Sequence, residues 1–115
     1  MRYLVLIYTV AFVWLTPSAV WAQVYGDPSS LVDYWYRTYL GRQADPSGLA
    51  SWTAQLNQGT PADEVLATIL GSPEFYTKAG STPEGFITLL FMDILHRSPT
   101  PSELNFWVRR MYTED

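Results

Sequence analysis

From residue 28 onward, apolar residues recur three and four positions apart. Val32, Trp35, Tyr36, Tyr39 and Leu40 form one such set, Leu49, Trp52 and Leu56 a second, and Val65, Leu66, Ile69 and Leu70 a third. Ile87, Leu90, Phe91, Ile94 and Leu95 make a fourth, and Leu104, Trp107, Val108 and Met111 a fifth. This spacing gathers side chains on one face of a helix. It predicts helices over roughly 28–40, 46–57, 61–70, 83–95 and 101–112, with a short helical turn at 73–78 holding Phe75 and Tyr76. Proline after Asp, Ser or Thr marks the helix starts, because the preceding side chain caps free N–H groups and proline has none to lose. That pair occurs at Asp27-Pro28, Asp45-Pro46, Thr60-Pro61, Ser72-Pro73, Thr82-Pro83 and Thr100-Pro101. Glu103 completes a capping box with Thr100. No strand alternation of useful length interrupts the pattern. The expected class is all-α: a small bundle of about five helices plus the turn, with the aromatic stripes as core.

The first 22 residues follow a different rule. Arg2 precedes an unbroken apolar stretch from Tyr3 to Leu15, Thr16-Pro17-Ser18 breaks it, and Val20-Trp21-Ala22 suits signal cleavage. This is the layout of a secretory signal peptide, and Pro17 falls too early for a spanning helix of ~20 residues. Cleavage after Ala22 would leave 23–115 as a single helical domain, secreted or held in the periplasm or cell envelope, with no stable membrane span. The chain has no cysteine, so disulfides, thiolate metal sites and cysteine nucleophiles are excluded. Seven basic residues against eleven acidic ones give a net charge of −4, and no basic patch invites nucleic acid.

The chain also repeats itself. "GRQADPSGLASW" begins at Gly41 and "HRSPTPSELNFW" at His96, an offset of 55 residues. At that offset Leu40, Arg42, Pro46, Ser47, Leu49 and Trp52 fall on Leu95, Arg97, Pro101, Ser102, Leu104 and Trp107. Val32, Tyr36 and Tyr39 fall on Ile87, Phe91 and Ile94. An ungapped match over helix, loop and helix indicates an internal duplication, with a first repeat at 31–76 and a partial second at 86–111.

The repeated phrase resembles the bacterial domain-of-unknown-function family 4214 (DUF4214). Leu40, Gly41, Arg42, Asp45, Gly48, Leu49, Trp52, Ser72, Glu74 and Phe75 match that family's pattern. The likeness amounts to one full copy and a degenerate, truncated second, in which His96, Thr100 and Glu103 replace Gly, Asp and Gly. It implies an exported or cell-surface helical module, often in tandem and beside adhesin-like or calcium-binding repeats, with no established activity. "LHRSPTPSEL" also resembles the phycobilisome linker domain, which implies a scaffold.

Candidate chemistry is sparse. His96 is the one histidine and sits just past a helix end, which fits a cap better than catalysis. A lone histidine without cysteine cannot build a usual zinc site, and "ADPSG" lacks the ligand density of a calcium loop. Asp63 and Glu64 suit the start of a helix dipole, and no glycine-rich phosphate loop occurs. The expectation is therefore no enzyme, cofactor or metal, but an exported structural or protein-interaction module with an envelope or extracellular protein as partner. A carbohydrate or small-ligand binder is the alternative, with Tyr34 and Trp35 as aromatic candidates. The residues singled out for the motif are Gly41, Arg42, Asp45, Gly48, Trp52, Arg97 and Trp107. Their expected role is a joint between helices: Gly41 ends one helix, Asp45 caps the next, Arg42 pairs with Asp45 or with free carbonyls at the end of the first helix, and Trp52 and Trp107 take equivalent buried positions.

Overall fold

A computed structural model describes residues 26–113, so the segment read as a signal peptide and its cleavage point lie outside the described residues. The Asp27 carboxylate accepts the Ser30 N–H at 2.7 Å, and with Pro28 at the first position it starts α1 (Pro28–Trp35). The helix then widens into a π-helical turn, Tyr36–Leu40. Five residues later α2 (Pro46–Asn57) begins behind the cap of Asp45. Next come α3 (Ala62–Leu70) and the short α4 (Pro73–Lys78), whose cap is Ser72. Thr82 caps α5 (Pro83–Leu90), which also widens into a π-helical turn, Phe91–Leu95, and α6 (Pro101–Thr113) follows. The described residues are all-α, with no strand among them.

The helix starts, both π-helical turns and the loop between them repeat at the 55-residue offset. The caps change chemistry in the same way at both places: Asp27 becomes Thr82, and Asp45 becomes Thr100. Either side chain can accept an N–H from the first turn. The Thr82 and Thr100 hydroxyls do so from Gly85 at 3.0 Å and from Glu103 at 3.2 Å. The ends of the long helices are where the sequence reading needs correction. Residues 36–40 and 91–95 are not regular α-helix. The reason lies in the reversal. Gly41 turns left-handed at φ 69°, and the N–H groups of Gly41 and Arg42 both reach back to the Tyr36 carbonyl. That reach exceeds the four residues of an α-helical bond, so the last turn is wider. His96 occupies the same left-handed place at φ 56°.

The described residues fall into two compact units, the first ending at Leu66 and the second starting at Ala67, within α3. In the first, α1 packs on α2. Its buried side chains are Leu31, Val32, Trp35, Tyr36, Tyr39, Ala62, Val65 and Leu66. In the second, α5 packs on α6. Here Leu70, Phe75, Phe86, Ile87, Leu90, Phe91 and Met111 are buried, and Phe75 meets Phe86 edge-on at 5.9 Å. One expectation fails in both units. Trp52 and Trp107 hold equivalent positions but are half-buried rather than buried, and α2 buries no residue fully. The described contacts of α2 are chiefly with α1, so its apolar side chains are covered from one side.

Candidate functional site

The two loops show what the repeated phrase builds. In the first, the Arg42 guanidinium lies 4.9 Å from the centre of the Tyr36 ring, where the ring's negative face attracts a cation. One of its nitrogens donates to the Gln43 carbonyl at 3.0 Å and to Asp45 Oδ1 at 3.3 Å. Asp45 Oδ2 accepts from the Ser47 hydroxyl at 2.7 Å and from the Gly48 N–H at 3.0 Å. These donors favour the ionised carboxylate. Ser47 and Gly48 lead and Arg42 adds, holding its pKa at about 2. The loop is also tied to α1, because Asp33 accepts the Ala44 N–H at 3.4 Å.

The second loop repeats the plan with one part moved. Arg97 lies 5.2 Å from the Phe91 ring and donates to the Ser98 carbonyl at 3.2 Å. Phe91 and Ser98 are the offset partners of Tyr36 and Gln43. The carboxylate now comes from Glu103, three residues further on. It takes Arg97 in a two-pronged pair at 2.9 and 2.7 Å and accepts the Thr100 N–H at 2.8 Å. The Arg97 bond, with the Thr100 N–H behind it, brings the Glu103 pKa down to about 2, and the same pair raises that of Arg97. Two parallel bonds fix a guanidinium more tightly than a single prong.

Gly48 and Glu103 hold the same place in the two copies, and the aromatic residues explain the difference. The Tyr36 hydroxyl accepts the Trp52 indole N–H at 3.1 Å. A Cβ on Gly48 would meet that hydroxyl at 2.8 Å, closer than real Cβ contacts come. Phe91 has no hydroxyl, so position 103 is free to carry a side chain, and it carries the carboxylate Arg97 needs. Tyr with Gly, and Phe with Glu, are two solutions to one packing problem.

The motif residues Gly41, Arg42, Asp45, Gly48 and Trp52 thus come together around Tyr36 in the first unit, and Arg97 and Trp107 belong to the matching helix pair in the second. The aromatic ligand candidates do not survive as a pair. Trp35 is 0% exposed and offers no face to a ligand, whereas Tyr34 on the opposite side of α1 is 38% exposed. Helical spacing decides this: Trp35 falls in line with Val32, Tyr36 and Tyr39, and Tyr34 does not.

Three features escaped the sequence reading. The first is the role of Tyr36 and Phe91 as seats for the arginines. Their recurrence six residues before each arginine was the available signal. The second is Asp93 in the second π-helical turn. Its Oδ2 is buried without a hydrogen-bond partner, and burial pushes its carboxyl pKa up against the pull of Lys78 and His96. The third is the outer face of α6, where Phe106 is 53% and Tyr112 62% exposed. Among the described residues no group of three or more His, Cys, Asp or Glu side chains gathers, and no helix is long and apolar enough to cross a membrane.

The profile of a family described as a domain of unknown function (DUF4214) matches residues 15–79 and again 67–115, the pattern of one fuller and one shorter copy. No curated protein and no solved structure matches the chain.

Proposed function

The chain belongs to the DUF4214 family, and from that premise we propose that it is an exported, non-enzymatic helical module with a structural or protein-interaction role in the cell envelope or outside the cell. One observation carries the reading. The charged groups of the motif are engaged within their own loops: Arg42 and Arg97 each hold an aromatic ring, a backbone carbonyl and a carboxylate. A catalytic set needs a polar group aimed at a reacting atom. These groups instead fasten one helix to the next, twice over. The motif therefore serves the shape of the module, and recognition falls to surfaces outside it.

Arg42→Ala and Arg97→Ala test this. In urea unfolding, both variants should unfold at lower denaturant than the wild type. A partner captured by the wild-type chain from the envelope fraction should still bind to variants that remain folded. Variants with wild-type stability that lose the partner would make the loops a binding site and overturn the joint reading. The glycan alternative keeps one supporting observation, the exposure of Tyr34, Phe106 and Tyr112.

A further inference from the structure

The repeat provides an internal control for its own surface. α2 and α6 start at equivalent residues, so positions with no task in the fold can be compared directly. On α2 the outward positions are Ala50, Ser51, Ala54 and Asn57, all small or neutral and all exposed. The helix forms and packs on α1 with nothing larger there. On α6 the same positions are Asn105, Phe106, Arg109 and Tyr112, also all exposed. A ring, a guanidinium and a phenol have replaced a hydroxyl, a methyl and an amide where the fold requires none of them. Leaving a phenyl ring in water is unfavourable, so this decoration has no evident reason in the stability of the fold.

Asn105, Phe106 and Arg109 share one feature of the surface. Ser102, Asn105, Phe106, Arg109, Arg110 and Thr113 line an open groove along α6. The Phe106 ring meets the Trp107 ring at right angles, with centres 5.0 Å apart, and the Arg110 guanidinium lies 5.8 Å from its centre. Arg109 is exposed and lines the groove with the Phe106 ring, while the Arg110 guanidinium is engaged with that ring. An exposed guanidinium and an exposed ring on one face complement a partner that carries negative charge and an apolar anchor. The stripe from Ser102 to Thr113 is about 16 Å long at the rise of an α-helix, which suits a peptide segment. Its open form is unlike the concave pockets that enclose small ligands. Aromatic residues and arginine are also the types that dominate binding energy between proteins.

We propose that this face of α6, with Phe106 and Arg109 at its centre, docks an acidic amphipathic segment of a partner protein. The proposal rests on the protein-interaction reading above and names the surface and the chemistry of the partner. Binding of a fluorescein-labelled peptide with Glu and Leu at helical spacing, followed by anisotropy against the purified chain, tests it. The wild type should bind, and more weakly as salt rises. Arg109→Glu and Phe106→Ser should each lose about tenfold or more in affinity, as residues at the centre of an interface do. Both positions are exposed, so the helical circular dichroism and unfolding midpoint should stay at wild-type values. No binding by the wild type, or equal binding by Arg109→Glu, would overturn the proposal. So would binding of polygalacturonate in place of the peptide, which would assign the face to an acidic glycan. Any of these results leaves the joint reading untouched, because that reading stands on the stability of the Arg42 and Arg97 variants.

Discussion

At the residue scale, the pair Tyr36 and Gly48 makes the most specific claim. Alanine normally stabilises a helix relative to glycine. At Gly48 it should do the opposite, since its Cβ would press on the Tyr36 hydroxyl. Gly48→Ala should cost about 1–3 kcal/mol, the range for overpacking a filled site. Adding Tyr36→Phe should recover most of that loss, although Trp52 then loses the acceptor for its N–H. Urea unfolding of the two single variants and the double variant measures the coupling. His96 gives a second prediction. It stands at φ 56°, in a conformation that costs most residues about 1–2 kcal/mol and glycine almost nothing. His96→Gly should therefore stabilise the chain by about 0.5–1 kcal/mol, after allowance for glycine's greater freedom when unfolded. A thermal melt would show it as a higher midpoint.

At the element scale, proline and its capping partner marked most helix starts in the sequence to within a residue, because these signals are local and chemical. The helix ends were less visible. A π-helical turn changes the repeat by less than one residue over five, so Tyr36, Tyr39 and Leu40 keep their apolar spacing. The widening follows from the left-handed reversal at Gly41. The arginine seats were hidden because Arg42 and Tyr36 meet across that reversal, which no periodicity records. The half-burial of Trp52 was hidden too: spacing tells which face a residue is on, and not how completely a neighbour covers it. The caps and loops also predict how the elements respond to acid. Asp45 and Glu103 both have pKa values held down at about 2 by the folded state. A depressed carboxylate stabilises fully above its unfolded value, near 4, and that stabilisation fades as pH falls from about 4 to about 2. Asp27 and Asp33 are lowered too and act in the same direction. Asp93 is raised and works the other way, but its gain comes as pH falls towards its ordinary value near 4, above the window in which the others lose. The thermal midpoint should fall below about pH 4, and less steeply in Asp45→Asn/Glu103→Gln.

At the scale of the whole molecule, the chain is two copies of one device, and each copy is free to vary where the device does not constrain it. The second copy has changed both of its caps from Asp to Thr, moved its carboxylate by three residues and decorated its outer helix face. The proposal of export belongs to this scale and concerns residues outside the described part. Mass spectrometry of protein recovered from outside the cytoplasm should find a chain starting at Gln23, while an uncut chain held in the membrane would refute it. The central claim is that both loops are the same joint made from exchangeable parts. It is tested most directly by rebuilding the first joint from the parts of the second, as Tyr36→Phe/Asp45→Thr/Gly48→Glu, and measuring urea unfolding beside Asp45→Thr/Gly48→Glu with Tyr36 retained. The triple variant should stay within about 1.5 kcal/mol of the wild type, the scale of the one hydrogen bond that Trp52 loses. The double variant, with the Tyr36 hydroxyl still over position 48, should unfold at clearly lower urea. If the triple variant is as unstable as the double, the two loops are not interchangeable, and the account of the repeat as one joint written twice is wrong.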